Sequence, residues 1–213
     1  KMADMLRNMT SVIEYVEEDL TFSLPAEDLT FSTSSETLPW GVDRIDAEKV
    51  HPYNKGNGVN IAVLDSGIDT DHEDLVSNYM GGIDIVNNDS IPEDDCWHGT
   101  HVCGTIAAAA NGIGVIGVAP KANLYAVKVA DSNGWANWDW VIQGIEWAVK
   151  NHTKIINMSL GAPTGSSALE DACQEAYNKG VLLVAAAGDL GDGVTYPANY
   201  SSVIAVSATD QID

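Results

Sequence analysis

The sequence predicts an α/β domain, a parallel sheet with helices on both faces, preceded by a small α+β remnant. Three observations predict it. Short runs rich in Val, Ile and Ala recur along the chain, helical windows lie between them, and the runs are near-continuously apolar rather than alternating. Strands covered by helices on both faces read that way, because neither side of the sheet meets water.

The elements follow in order. Residues 2–9 put Met2, Met5, Leu6 and Met9 at helical spacing, and SVIEYVEED (11–19) alternates as a strand does, so residues 1–20 read as a helix and a strand, too little to fold alone. The stretch LTFSLPAEDLTFSTSSE, Leu20 to Glu36, is polar and acidic and reads as a connector open to proteolysis. Residues 21–36 are therefore assigned as a linker and 37–213 as the main domain.

Within that domain the expected strands are VNIAVLD (59–65), NLYAVKVA (123–130), KIINMSL (154–160), VLLVAAAG (181–188) and SVIAVSA (202–208), with helices near 98–110, 139–151 and 167–179. The third helix opens on the capping-box string SALE at Ser167–Glu170 and stops at Gly180. In such sheets, functional groups collect at the carboxyl ends of strands. Asp65 stands at one.

Composition excludes several functions. The 213 residues are 45% hydrophobic and carry 31 Asp plus Glu against 10 Lys plus Arg, a net charge of −21 that opposes any phosphate backbone. Nucleic acid is thus no expected partner. No apolar run approaches the roughly 18 residues of a membrane span, so no membrane partner is expected either. The N-terminus lacks the pattern of a secretory signal, which for a secreted protein would lie upstream. Three cysteines permit at most one bridge and leave the redox compartment open.

The stretch CWHGTHVCGTIAAAANGIGVIGVAP (Cys96–Pro120) poses the functional question. His98 and His101 are three apart, which is not a usual spacing for tetrahedral zinc. The string GIGVIG (112–117) follows a helix instead of a strand, so its amides cannot serve as a dinucleotide cradle. Nucleophilic catalysis remains, with Asp65 at a strand end orienting His98 at a helix start; a capping Asp and a hydrogen-bonded core His are the plain structural alternative.

LDSGID (64–69), HGTHVCGTIAA (98–108), GVIGVAP (114–120), INMSLG (156–161), VAAAGD (184–189) and TYPANYSSVIAVSA (195–208) together resemble the subtilisin-like serine proteases. The resemblance implies that Asp65 and His98 are the triad acid and general base, and that His101 is structural. It implies a substrate groove in which Ser159, Leu160 and Gly161 form a backbone-pairing edge and Ala186 and Gly188 flank the primary pocket. Trp138, Val141 and Leu160 would wall an apolar pocket for the fourth residue upstream of the scissile bond. Trp140 and Trp147 read equally well as plain core or surface aromatics.

The resemblance further implies a structural Ca2+ held by Glu36, Asp74 and Asn111 side chains and the carbonyls of Ala109, Ile113 and Val115, a set of hard oxygen donors. An Asn-Gly turn without metal is the alternative. MLRNMTSVIEYVEEDL (5–20) resembles the end of the family's propeptide, which would act as inhibitor and folding aid and be cut just before Ser35. The expected partners are then a peptide or protein substrate and this propeptide, and the expected location is extracellular.

Two departures stand out. The family's nucleophilic Ser is expected beyond Asp213, and Asp189 occupies the place of an Asn that donates to the oxyanion. A carboxylate there has no N–H to offer unless protonated. Asp189 is open to reading as a natural variant, a converted Asn, or the mark of an inactive relative that binds peptides in the same groove. Cys96, two residues before His98, reads as a thiol able to react and disturb it, and Cys103 and Cys173 as small buried residues.

Overall fold

The computed structural model describes Glu17, residues 19–24, 35–189, Gly191 and residues 193–212. The helix and most of the strand expected over residues 2–19 lie outside the described residues.

A parallel sheet of six strands forms the centre, in the order β3-β4-β2-β6-β7-β8. The strands are β2 (Asn60–Asp65), β3 (Tyr79–Asp84), β4 (Asn123–Lys128), β6 (Ile155–Met158), β7 (Leu182–Ala186) and β8 (Val203–Val206). Successive residues of β2 serve opposite faces. Ala62 and Leu64 join one core with Val127, Ile156 and Met158, against the helices Trp138–Lys150 and Ser167–Asn178. Ile61 and Val63 join a second core with Leu75, Leu124 and Ala126, against Cys103 and Ala107 of the helix His98–Ala107. This two-sided burial is why the strands read as unbroken apolar runs.

Three local outcomes differ from the sequence expectation. The His98 helix ends at Ala107, because Ala108 turns to an extended ψ of 134° and its carbonyl accepts from Gly117 N. The cap of the third helix is Ser166, whose side chain accepts from Leu169 N at 3.1 Å; Ser167 is already helical. At its other end Gly180, with φ of 80°, lets its own N–H reach Tyr177 O and that of Val181 reach Ala176 O, closing the helix as expected.

The third difference concerns the connector. Its residues Thr21–Ser23 form β1, which pairs antiparallel with β5 (Trp135–Asn137) in a separate two-stranded sheet. Phe22 and Leu24 are buried within the main core. A segment that reads as polar and open in isolation is here a docked strand, because the groove supplies apolar partners that the local pattern does not show.

Candidate active site

Asp65 is the last residue of β2 and His98 the first residue of its helix, so both stand at the carboxyl edge of the sheet. His98 Nδ1 donates to Asp65 Oδ1 at 2.7 Å, and Ser66 N donates to the same oxygen at 2.7 Å. Asp65 is 0% exposed and His98 4%, so the contact is shielded from water. Burial pushes the Asp65 carboxyl above its ordinary value, and the bond from His98 opposes that push. The carboxylate therefore fixes the orientation of the ring and favours the tautomer with its proton on Nδ1.

Close backbone contact holds the two loops together. A Cβ on Gly99 would lie 2.2 Å from Gly67 O, and one on Gly67 would lie 2.5 Å from Pro92 O, at a φ of +119°. Gly99 is thus required by the approach of the Asp65 loop to the His98 helix, and Gly67 by its approach to the backbone of Pro92–Asp94.

Asp94 fastens this junction, and sequence reasoning missed it. Its Oδ1 accepts from Ser66 Oγ (2.8 Å), Cys96 N (3.0 Å) and Trp97 N (2.8 Å), and its Oδ2 from Thr100 N (2.8 Å) and Thr100 Oγ1 (2.6 Å). Burial raises this carboxyl, but the Thr100, Cys96 and Ser66 bonds outweigh it and hold the group below its ordinary value. The one sequence signal was an Asp shortly before a helix start, where a carboxylate meets free N–H groups. Buried Lys128 adds a second clamp, its Nζ donating to Ser66 O and Asp95 Oδ1 at 2.6 Å each.

A groove of about 530 Å³ has Ser159, Leu160, Gly161, Ala186, Gly188 and Asp189 among its walls. Phe22, Ser23 and Leu24 form part of its lining. The Phe22 ring packs 4.3 Å from that of Trp138, in the core cluster that also holds Val141 and Leu160. Trp138 is fixed by its indole N–H, which donates to Thr164 O at 3.1 Å. The backbone partner of this strand is Trp135–Asn137, an edge that sequence reasoning did not name. Trp140 and Trp147 pack half-buried against the same core.

Two acidic residues anchor the segment upstream of β1. Glu17 accepts from Ser167 N and Ala168 N at 3.0 and 3.1 Å, and Asp19 accepts from Asp139 N at 3.1 Å. Each carboxylate meets the first turn of a helix, where N–H groups lack internal partners.

Away from the groove, Glu36, Asp74 and Asn111 meet on one loop. Glu36 Oε1 accepts from Gly112 N (2.7 Å), Asn111 Oδ1 from Ile113 N (3.1 Å) and Asp74 Oδ2 from Val115 N (2.9 Å). Asp74 is 2% exposed, and its Oδ1 has no hydrogen-bond partner among the described residues. Among those residues no cluster of three or more His, Cys, Asp or Glu is placed to hold a metal, so a cation here would draw on amide and main-chain oxygens as well. The buried orphan oxygen fits such a cation.

Cys96 is quieter than expected, whereas the other two thiols are buried as expected. Cys103 and Cys173 are buried, with Cys173 pushed up by burial to about 12 and Cys103 pushed up well above its ordinary value. Cys96 is half-buried, and burial followed by the nearby Asp94 charge raises it too, which disfavours the reactive thiolate.

The family model described as the subtilase family matches residues 56–212. The chain belongs to the subtilase family. Over 179 residues, 82% of the chain, it is 52% identical to a thermostable alkaline protease of Halalkalibacterium halodurans. It is 46% identical over 93% of its length to subtilisin E of Bacillus subtilis, and 48% identical over 82% to a subtilisin of Bacillus pumilus. The aligned part spans 48%, 51% and 65% of those relatives respectively, about half to two thirds of their length. Among the described residues of this subtilase, no helix is long and apolar enough to cross a membrane.

Proposed function

We propose that this subtilase segment forms the acid–base half and the substrate groove of an extracellular serine endopeptidase. The observation that carries the reading is the buried 2.7 Å contact of His98 Nδ1 with Asp65 Oδ1 at the carboxyl edge of the sheet. In the reaction, His98 Nε2 takes the proton of a serine hydroxyl as it attacks the peptide carbonyl, and returns it to the leaving amine. Asp65 stabilises the imidazolium formed in between. Ala186, Gly188 and Asp189 face the primary pocket, and Asp189 serves the oxyanion only in its protonated form or through a water.

The same reading makes Phe22, Ser23 and Leu24 an intramolecular occupant of the substrate site. Phe22 in the pocket of Trp138, Val141 and Leu160 supports an apolar preference for the fourth residue upstream of the cut. Glu17 and Asp19 hold the segment by helix N-termini, so it inhibits until it is cleaved. The docked strand favours a cut soon after Leu24, ahead of the position before Ser35 that the sequence pattern suggests.

Ca2+ at the Asp74 loop would be held by Glu36, Asp74 and Asn111 with the carbonyls of Ala109, Ile113 and Val115. When bound it supplies structural cross-linking of that loop and no chemistry.

The test is peptide hydrolysis by the full-length protein and two variants. Asp65→Asn should lower kcat by about 10⁴ with little change in KM, and His98→Ala by at least as much. Variants that retain more than a tenth of the activity would refute the assignment.

A further inference from the structure

We propose that Trp135 is a specificity-determining residue, an open aromatic platform for the third residue upstream of the scissile bond, and that the platform selects large apolar side chains. The inference rests on the reading of the groove as a peptide-substrate site, with β1 lying as a substrate would. It assigns a contact to a position that points away from the groove floor.

The register makes the argument. Ser23 lies directly across from Trp135, Phe22 from Ala136 and Thr21 from Asn137. Backbone bonds fall at Leu24 N to Gly134 O (2.6 Å) and at Trp138 N to Leu20 O (3.2 Å), on either side of the paired residues. Bonded and non-bonded pairs alternate along an antiparallel ladder, so Ser23 and Trp135 form a non-hydrogen-bonded pair. Side chains approach more closely in such pairs, with Cα atoms about 4.5 Å apart.

Alternation also fixes the faces. Phe22 and Ala136 are buried against the core, whereas Ser23 and Trp135 lie on the opposite, outer face. Trp135 remains 50% exposed and lines the groove together with Ser23 and Leu24. A hydroxymethyl group is too small to cover an indole, so the strand that fills the inner pocket leaves the outer ring open.

The platform is held firmly. Trp135 N donates to Asp131 Oδ1 at 3.0 Å, Asp131 N donates back to Trp135 O at 2.9 Å, and Gly134 N donates to Asp131 O at 2.8 Å. This tight turn fixes the backbone before substrate arrives, so little ordering is left to oppose binding. An aromatic or long aliphatic side chain in place of Ser23 would cover the ring as cross-strand partners do, with an expected gain of about three- to tenfold.

Two measurements test the proposal. Peptides identical except for Ser or Phe at the third upstream position are compared in kcat/KM with the full-length processed protein and its Trp135→Ser variant. A Phe/Ser ratio of about three to ten, falling to about one in the variant, is expected, while the Phe/Ala ratio at the fourth position stays unchanged. A ratio near one in the parent, or one that survives in Trp135→Ser, overturns the proposal. Failure of every peptide to be cut would overturn the peptidase reading and the proposal with it.

The second measurement needs no turnover. Ser23→Phe in the unprocessed protein should raise Tm by about 1–4 °C, and the gain should vanish in the Ser23→Phe, Trp135→Ser double variant. Equal gains in both backgrounds would show that Trp135 makes no such contact.

Discussion

Replacing Asp94 by Asn removes one charge and turns one of its two acceptor oxygens into a donor, with almost no change in volume. Of the five bonds that Asp94 accepts, the two from Thr100 end on Oδ2 and the three from Ser66, Cys96 and Trp97 on Oδ1. The amide side chain can retain the Oδ1 set only by aiming its NH2 at the donors of Thr100. Hydrogen bonds to charged groups contribute about 1.5–3 kcal/mol each, and some geometry relaxes, so the expected loss is about 2–4 kcal/mol at pH 7. The pH dependence carries a sign. The folded-state carboxyl is held below its ordinary value, so its stabilisation is fully present above the unfolded value near 3.9 and is lost as pH falls through the folded one. Urea unfolding followed by tryptophan fluorescence should therefore show a constant gap between parent and Asp94→Asn from about pH 5 to 8, shrinking below about pH 4. A gap under about 1 kcal/mol at pH 7, or one that does not shrink in acid, would refute the role given to Asp94.

Further outcomes follow from other sites. Asp189→Asn in the full-length protein should raise kcat by about 10²–10³ with KM little changed, a magnitude known from subtilisin itself and carried over to this relative; an unchanged kcat would mean that another group serves the oxyanion. Ca2+ at one hundred times its dissociation constant should stabilise the chain by about 2.7 kcal/mol and raise Tm by about 5–10 °C, and Asp74→Ala should abolish the shift. An equal shift in the variant would place the cation elsewhere. A thiol reagent at pH 8 should leave Cys103 and Cys173 untouched in the native protein and modify Cys96 more slowly than a free thiol. Rapid modification of all the thiols would contradict the burial described for them.

Asp65, His98 and the alternation of strands and helices were legible in the sequence because each is a local pattern. A parallel strand buried on both faces must be apolar throughout, and the glycines next to Asp65 and His98 mark where two backbones touch. Other features depend on partners far along the chain. Thr21–Ser23 is too short and polar to announce a strand, and becomes one only because Phe22 meets Trp138 and the edge at Trp135 is open. The strand Tyr79–Asp84 escaped notice because YMGGID breaks its apolar pattern at two glycines. Only Ser167, three residues before Glu170, matches the capping-box pattern, yet Ser166 holds the cap. Ser166 is the cap because its backbone is extended, whereas the N–H of Ser167 is taken by Glu17. Asp94 gave only the local sign of an acid shortly before a helix start, because its role depends on Ser66, Cys96, Trp97 and Thr100 together.

In the proposed function, Asp65 and His98 activate a serine in the full-length protein. The most direct measurement is its intact mass after exposure to a fluorophosphonate, compared with that of His98→Ala. A single adduct is expected on the processed parent and none on His98→Ala, because phosphonylation needs a hydroxyl whose proton is taken as it attacks. An adduct of equal extent on His98→Ala, or none on the processed parent, would contradict it.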